Sequence, residues 1–256
     1  LISLKRPEEI ALMRQAGHYL AEVLESLAAM VAPGVTTTEL DRAANREIRR
    51  RGCFPGFLGY DGFPKHLCVS VNDQVVHGIP DGRRLLEGDL VSLDCGLIHQ
   101  GWWADAGLSV GCGDLDPESE KLLAVTREAL RLGINAAQPG NRLGDIGHAV
   151  QAHVEANGFS VVRGYTGHGI GRDMHEDPEV PNHGSPGRGV EIRPGLCLAI
   201  EPIVNRGAPA TVVRPDRWTV VTADGERSCY YEHSIAITEA GPEVLTTTDP
   251  QHVWVG

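Results

Sequence analysis

The hydrophobic pattern divides the chain into stretches of helical and strand-like periodicity. The apolar positions Ile10, Met13, Leu20, Leu24 and Leu27 recur at near-helical spacing and predict a first amphipathic helix. Pro7, Glu8 and Glu9 mark its first turn. A proline loses no useful N–H there, and acids favour the positive end of the helix dipole. Pro33-Gly34 ends this element. Thr36-Thr37-Thr38-Glu39 has the form of a capping box, so a second helix is expected to about Arg51, stopping at Gly52. Beyond it glycine and proline become dense, and short β-type runs appear at 67–71, 90–93 and 108–110. Asp116-Pro117 opens a third helix reaching about Asn135, and Pro139-Gly140 breaks it. A fourth is expected over 143–157, closed by Gly158. The remainder returns to strands at 159–162, 196–200, 218–222 and 231–237. The proline-rich stretch 178–194 reads as a long loop, and such loops in compact domains are often functional.

The order is therefore helices, strands, helices, strands. The two halves look alike in element order, without a clear sequence repeat. Segregated helices and strands point to an α+β layer fold rather than a strictly alternating parallel one. No low-complexity linker interrupts the chain, so 1–256 is expected to be a single catalytic domain.

Composition narrows the function classes. Thirty-four acidic residues against 23 basic give a net charge of −11, which argues against a phosphate-backbone binder and fits carboxylates gathered around a cation. Aromatics make up only 5%, which disfavours a stacking surface for single-stranded nucleic acid. No run of 18 apolar residues exists and no signal-like segment opens the chain, so neither a membrane span nor secretion is expected. The chain begins at Leu1, which leaves a short native leader open. Cys53, Cys68, Cys95, Cys112, Cys197 and Cys229 are scattered without a C-x-x-C pair. They suggest neither a zinc knuckle nor a disulfide framework, and a reducing compartment is the default.

Familiar catalytic motifs fail. His175-Glu176-Asp177-Pro178-Glu179 begins like a zincin helix but lacks the second histidine. Gly167-His168-Gly169-Ile170-Gly171 lacks dinucleotide spacing, and there is no P-loop and no nucleophile elbow. What remains is a set of acids and a histidine in strand-like surroundings. Asp94 and Asp105 would face each other if their runs form a hairpin, and two buried carboxylates call for a cation. The plainer alternative is that one caps a turn and the other meets a solvent lysine. His168, between glycines, is either an uncovered imidazole or a polar surface residue. Glu201 ends an apolar run before Pro202, at a strand end; the alternative is an edge-strand solubility charge. Alternation puts Glu232 on one face with Ser234 and Ala236, opposite Ile235 and Ile237; the alternative is a solvent face. Together, four carboxylates and one imidazole form a hard, oxygen-rich set with more charge than one divalent ion needs. Two bridged ions would balance it.

These residues and their frames resemble methionine aminopeptidase, type I, in its short bacterial form. The resemblance runs through Ser70-Val71-Asn72-Asp73-Gln74-Val75-Val76-His77-Gly78-Ile79-Pro80, Ser92-Leu93-Asp94-Cys95-Gly96, Thr166-Gly167-His168-Gly169-Ile170-Gly171, His175-Glu176-Asp177-Pro178, Ala199-Ile200-Glu201-Pro202 and Tyr231-Glu232-His233-Ser234-Ile235-Ala236-Ile237-Thr238, six motifs in the family's order. It implies the pita-bread fold of creatinases and aminopeptidases, a pseudo-twofold curved antiparallel sheet backed by helices. It implies that Asp105 and Glu232 bridge two divalent ions (Co, Mn, Fe or Zn), that Asp94 completes one site, and that His168 with Glu201 completes the other. His77 and His175 would contact the substrate amide and the developing oxyanion. Glu201 would also move a proton for a metal-bridging hydroxide. With only 32 residues between His168 and Glu201, the helical insertion of the type II family is absent. Prolidases share the metal frame but carry an extra N-terminal domain, for which the 76 residues before His77 leave no room.

By family position the methionine pocket draws on Phe57, Tyr60, Phe63, Cys68, Met174 and Trp218, although each also suits ordinary core packing. Phe57, Asp61 and Phe63 depart from a commoner cysteine, histidine and tyrosine. The implied activity is removal of the initiator methionine from nascent chains when the second residue is small. The implied setting is the cytoplasm, a monomer, and nascent N-termini as partners, with the ribosome near its exit tunnel as a candidate partner. No membrane and no direct nucleic-acid site are expected. The rivals are a related Xaa-Pro peptidase and a metal-free binding protein on the same fold.

Overall fold

Capping residues set the helix starts. In the computed structural model, which describes residues 2–249, α1 (Pro7–Ala28) begins at the expected proline. The single-domain expectation for 1–256 includes residue 1 and residues 250–256, which lie outside the described residues. α1 ends at Ala28, five residues before Pro33. The capping box of α2 (Thr37–Arg50) forms as expected: the Glu39 N–H donates to Thr36 Oγ1 at 3.2 Å, and the Thr36 N–H to Glu39 Oε2 at 2.7 Å. Asp116 caps α3 (Pro117–Ala136) by accepting from the N–H groups of Glu118 and Ser119, and α4 (Leu143–Ala156) follows. No helix among the described residues is long and apolar enough to cross a membrane.

Fifteen strands are described: β1 (Phe54–Pro55), β2 (Cys68–Val71), β3 (Gln74–Val76), β4 (Asp89–His99), β5 (Trp102–Cys112), β6 (Ser160–Val161), β7 (Gly167–Gly169), β8 (Glu176–Val180), β9 (Cys197–Ile200), β10 (Ile203–Asn205), β11 (Thr211–Val213), β12 (Val220–Thr222), β13 (Ser228–Tyr230), β14 (Glu232–Thr238) and β15 (Gly241–Val244). The main sheet runs β1-β4-β5-β14-β9-β7-β8, with β2 on β4 and β15 on β14, and its pairs are antiparallel. Two smaller sheets flank it, β13-β10-β6 and β11-β12-β3.

The path β2-β4-β5 on one side and β14-β9-β7 on the other follows two helices each time, α1 and α2, then α3 and α4. This is the two-half arrangement that the element order suggests. One apolar core joins the halves. It includes Leu20, Leu24 and Leu27 of α1, Leu40 and Ile48 of α2, Leu122 and Leu130 of α3, and Ile146 and Val150 of α4, against Leu93, Leu97 and Ile235 of the sheet.

Three strand expectations and one loop expectation are corrected. The runs 90–93 and 108–110 are parts of β4 and β5, eleven residues each. Glycines, alanines and acids dilute the apolar signal in between, although that stretch is mostly buried. The stretch 178–194 is not all loop, because Pro178, Glu179 and Val180 belong to β8, paired with β7. The run 218–222 contributes only Val220–Thr222 as strand.

Candidate metal centre and substrate pocket

A two-residue turn sets the register on which the site depends. Gln100 and Gly101, with φ of 49° and 77°, close the hairpin between β4 and β5. Positive φ at both central residues matches the natural twist of paired strands. Counting back from the turn places Asp94 opposite Gly107, and Asp105 opposite Gly96. Asp94 and Asp105 are therefore not the directly facing pair that the hairpin pattern suggests. They are diagonal neighbours on one face, since paired positions and positions two apart share a side.

The next strand repeats the device. Glu232 of β14 also pairs with Gly107, from the other side. Across three strands the order is Asp94, Gly107, Glu232, with Asp105 two positions from the glycine. Glu232 is 1% exposed, so it has no solvent face. His168 lies in the short strand β7 rather than in a loop, paired with Ala199 of β9. Its flanking glycines do allow close packing. A Cβ on Gly167 would stand 2.3 Å from the Ala199 oxygen, and one on Gly169 2.2 Å from the Asp177 oxygen. Glu201 follows the last residue of β9, at the strand end that Pro202 suggests.

The His168 Nδ1–H donates to the Gly169 carbonyl at 2.9 Å, which leaves the Nε2 lone pair pointing inward. That atom lies 3.8 Å from Asp105 Oδ2 and 3.8 Å from Glu201 Oε1. Burial, with a smaller contribution from His175, pushes the His168 pKa down to about 4, so the ring is neutral at pH 7. Ligand atoms of Asp105, His168 and Glu232 lie within 4.8 Å of one another. Burial raises the pKa of Asp94 and Glu232 well above the usual carboxylate range, and Asp105 adds to both shifts. Burial followed by Asp94 raises Glu201 in the same way. Burial pushes Asp105 up to about 7.

The donor set fits divalent cations. Asp94 Oδ1, Asp105 Oδ1 and Glu232 Oε1 are enclosed and have no hydrogen-bond partner among the described residues. A neutral imidazole lone pair facing carboxylate oxygens gains nothing from them directly. A cation between them satisfies the lone pair and the oxygens together.

An apolar cluster adjoins these acids through one register pair, Cys68 of β2 with Asp94 of β4. Cys68 packs with Phe57, Phe63 and Met174, all buried, and Tyr60 and Trp218 close the group. All six residues proposed from family position thus gather in one place. Ile79 and Trp103 join them and were not foreseen, although Trp103 stands two positions from Asp105, which already suggests a shared face. His175 sits where the two clusters meet. Its ring lies edge-on to His168 at 4.3 Å, and its Nδ1 is 2.8 Å from the Tyr60 hydroxyl. His77, at φ 58°, lies edge-on to Tyr165 at 5.6 Å and to Trp218 at 6.3 Å. Burial and the neighbouring His175 push its pKa down to about 4. Behind it, Gly78 presses on β2: an added Cβ would be 2.2 Å from the Val69 oxygen.

The chain matches the profile of Metallopeptidase family M24 over residues 11–239. A Clostridium perfringens protein named methionine aminopeptidase is 52% identical over 246 residues, which span 96% of this chain and 99% of that protein. The crystal structure of methionine aminopeptidase from Thermotoga maritima has a TM-score of 0.95 at 44% identity, covering 96% of this chain and 100% of that one. Prolidase from Pyrococcus furiosus, at 18% identity over 96% of this chain and 66% of its own, has a TM-score of 0.77, a likeness of fold alone.

Proposed function

This chain belongs to metallopeptidase family M24, and we infer from that membership and from the site that it removes the N-terminal methionine of nascent proteins as a metal-dependent aminopeptidase. Its fold is the pita-bread fold of that family, a curled antiparallel sheet backed by helices. Residues 1–256 act as one catalytic domain, as the core shared by all four helices supports. The observation that carries the reading is the Cys68–Asp94 pair, which sets a cluster of sulfur and aromatic side chains directly beside a buried carboxylate–histidine cluster.

Two divalent ions would be held by Asp94, Asp105, His168, Glu201 and Glu232, with Asp105 and Glu232 serving both, Asp94 one, and His168 with Glu201 the other. Four carboxylates are the charge that two such ions balance, and oxygen-rich sites with one imidazole accept Mn, Fe, Co or Zn. Bound there, the ions supply a water acidic enough to attack at neutral pH and polarise the scissile carbonyl. The protein does the rest. Phe57, Phe63, Cys68 and Met174, with Tyr60 and Trp218, enclose the thioether side chain. His175 donates to the oxygen that gains charge, and His77 meets the scissile amide. Glu201, at the edge of the cluster, takes up and returns the proton.

Six buried, unpaired cysteines support a reducing compartment, and we place the protein in the cytoplasm, acting as a monomer on N-termini as they emerge near the ribosomal exit tunnel. The rim is narrow. Tyr60 and His175 are bonded to each other across it, and Trp218 lies between Phe63 and His77. A bulky second residue meets these walls before its carbonyl reaches the cluster, and a misplacement of ~1 Å costs ~10²-fold in rate. The test is methionine release, after chelation and metal add-back, from Met-Xaa-Ser-Met with Xaa from Gly to Leu, Lys and Trp, beside Ala-Pro-Ser. Release before Gly, Ala and Ser is expected. Comparable kcat/KM for Ala and Leu refutes the narrow rim, and cleavage of Ala-Pro-Ser in preference to the methionyl peptides refutes the assignment.

A further inference from the structure

Tyr230 has no place in the ligand scheme, yet its phenol stands inside the cluster. Its O–H donates to Glu232 Oε2, and the Asp94 carboxylate is another acidic neighbour. Those two acids come from different strands, on either side of β5, and both pair with Gly107. The tyrosine reaches between them because Gly107 has no side chain: an added Cβ would stand 1.9 Å from Tyr230 Cε1. The main chain of Tyr230 is pinned to β5 as well. Ser109 Oγ donates to its carbonyl at 2.7 Å and accepts from its N–H at 3.1 Å. Tyr230 is 3% exposed, so no water competes freely for this bond.

The arrangement is selective among oxygens. The phenol takes Oε2 of Glu232, whereas Oε1 of Glu232 and Oδ1 of Asp94 have no partner among the described residues. A donor fixed on one oxygen of a carboxylate stops the group from rotating and keeps the other oxygen aimed inward. Groups that orient ligands in this way matter to metal affinity almost as much as the ligands do.

We propose that Tyr230 is a positioning residue of the metal centre, whose O–H, seated over Gly107 and pinned through Ser109, orients the Glu232 carboxylate for cations. The proposal rests on the metal-centre reading above. Tyr230→Phe keeps the ring over Gly107 and removes only the O–H. In calorimetric titration of the chelated full chain with Co²⁺, the variant should bind ~10–100-fold more weakly than the wild type. The visible absorption of bound Co²⁺ should also change. Wild-type affinity with an unchanged spectrum overturns the proposal. Ser109→Ala unpins Tyr230 but leaves the phenol and should show a smaller loss; an equal or larger loss overturns it too, by placing control in the strand contact. A phenolate-to-iron charge-transfer band in the Fe³⁺-loaded wild type, lost in Tyr230→Phe, would make the phenol a ligand rather than a donor, and also overturns it. If the wild type itself takes up no Co²⁺, the metal-centre reading fails instead.

Discussion

The Lys5 ammonium donates to Glu176 Oε2, and the two side chains are 2% and 14% exposed. This pair ties the N-terminal segment to the loop that carries His175. Oε1 of the same carboxylate accepts the Arg172 N–H at 2.8 Å, and Gly171 leaves the room both side chains need. Lys5 is itself held where its N–H meets the Gly195 oxygen at 2.7 Å. Lys5→Met leaves a shielded carboxylate without its cation, which typically costs about 3–5 kcal/mol. Urea denaturation should show a loss of that order, and kcat should fall more than KM rises because His175 is the next residue along. A loss below about 1 kcal/mol would class the pair with exposed ones and remove it from any account of His175.

Asp105 and Glu232 carry the dinuclear scheme. Asp105→Asn and Glu232→Gln each keep size and remove a charge that, in that scheme, two ions would share. Each should nearly abolish turnover and lower bound metal, measured by atomic absorption. Near wild-type activity in either variant would contradict shared ligation.

His175 and His77 should act on substrate. His175→Ala should reduce kcat by ~10²–10³, the scale of one lost oxyanion donor. Metal content should hold, since the nearest cluster residue to His175 is His168, whose Nδ1–H is already spent on Gly169. Loss of metal in either alanine variant would make that histidine a ligand.

The chelated protein should lose stability as pH rises from about 6.5 through 7. Asp94, Glu201 and Glu232, raised well above the usual carboxylate range by burial and mutual repulsion, retain protons in the folded state that the unfolded chain has released, and Asp105 does so up to its pKa of about 7. The folded state then binds more protons, so its stability falls with rising pH. The buried neutral histidines act in the opposite sense, but only below their unfolded value of about 6.5. Tm measured in chelator across this window should fall, and added Mn²⁺ should flatten the curve. A flat curve in chelator would contradict the burial of these acids as a close-set cluster that retains its protons.

Much of the protein is legible along the chain. Helix starts are written within four residues, as in Thr36–Glu39 and Asp116-Pro117, because a cap is a local contact. The candidate ligands stand in ordered motifs, since chemistry restricts which side chains can serve, whereas the apolar residues beside them are named only by family position. Tertiary structure alone decided three things. Asp94 and Asp105 lie diagonally because a two-residue turn counts the register from Gln100-Gly101. Gly107 reads as a weak spot in a strand until Tyr230 is seen to lie over it. Lys5 and Glu176, 171 positions apart, carry no local sign of each other. Local propensity acts over a turn or a strand, whereas these contacts depend on the summed register of several strands, which only the folded sheet determines.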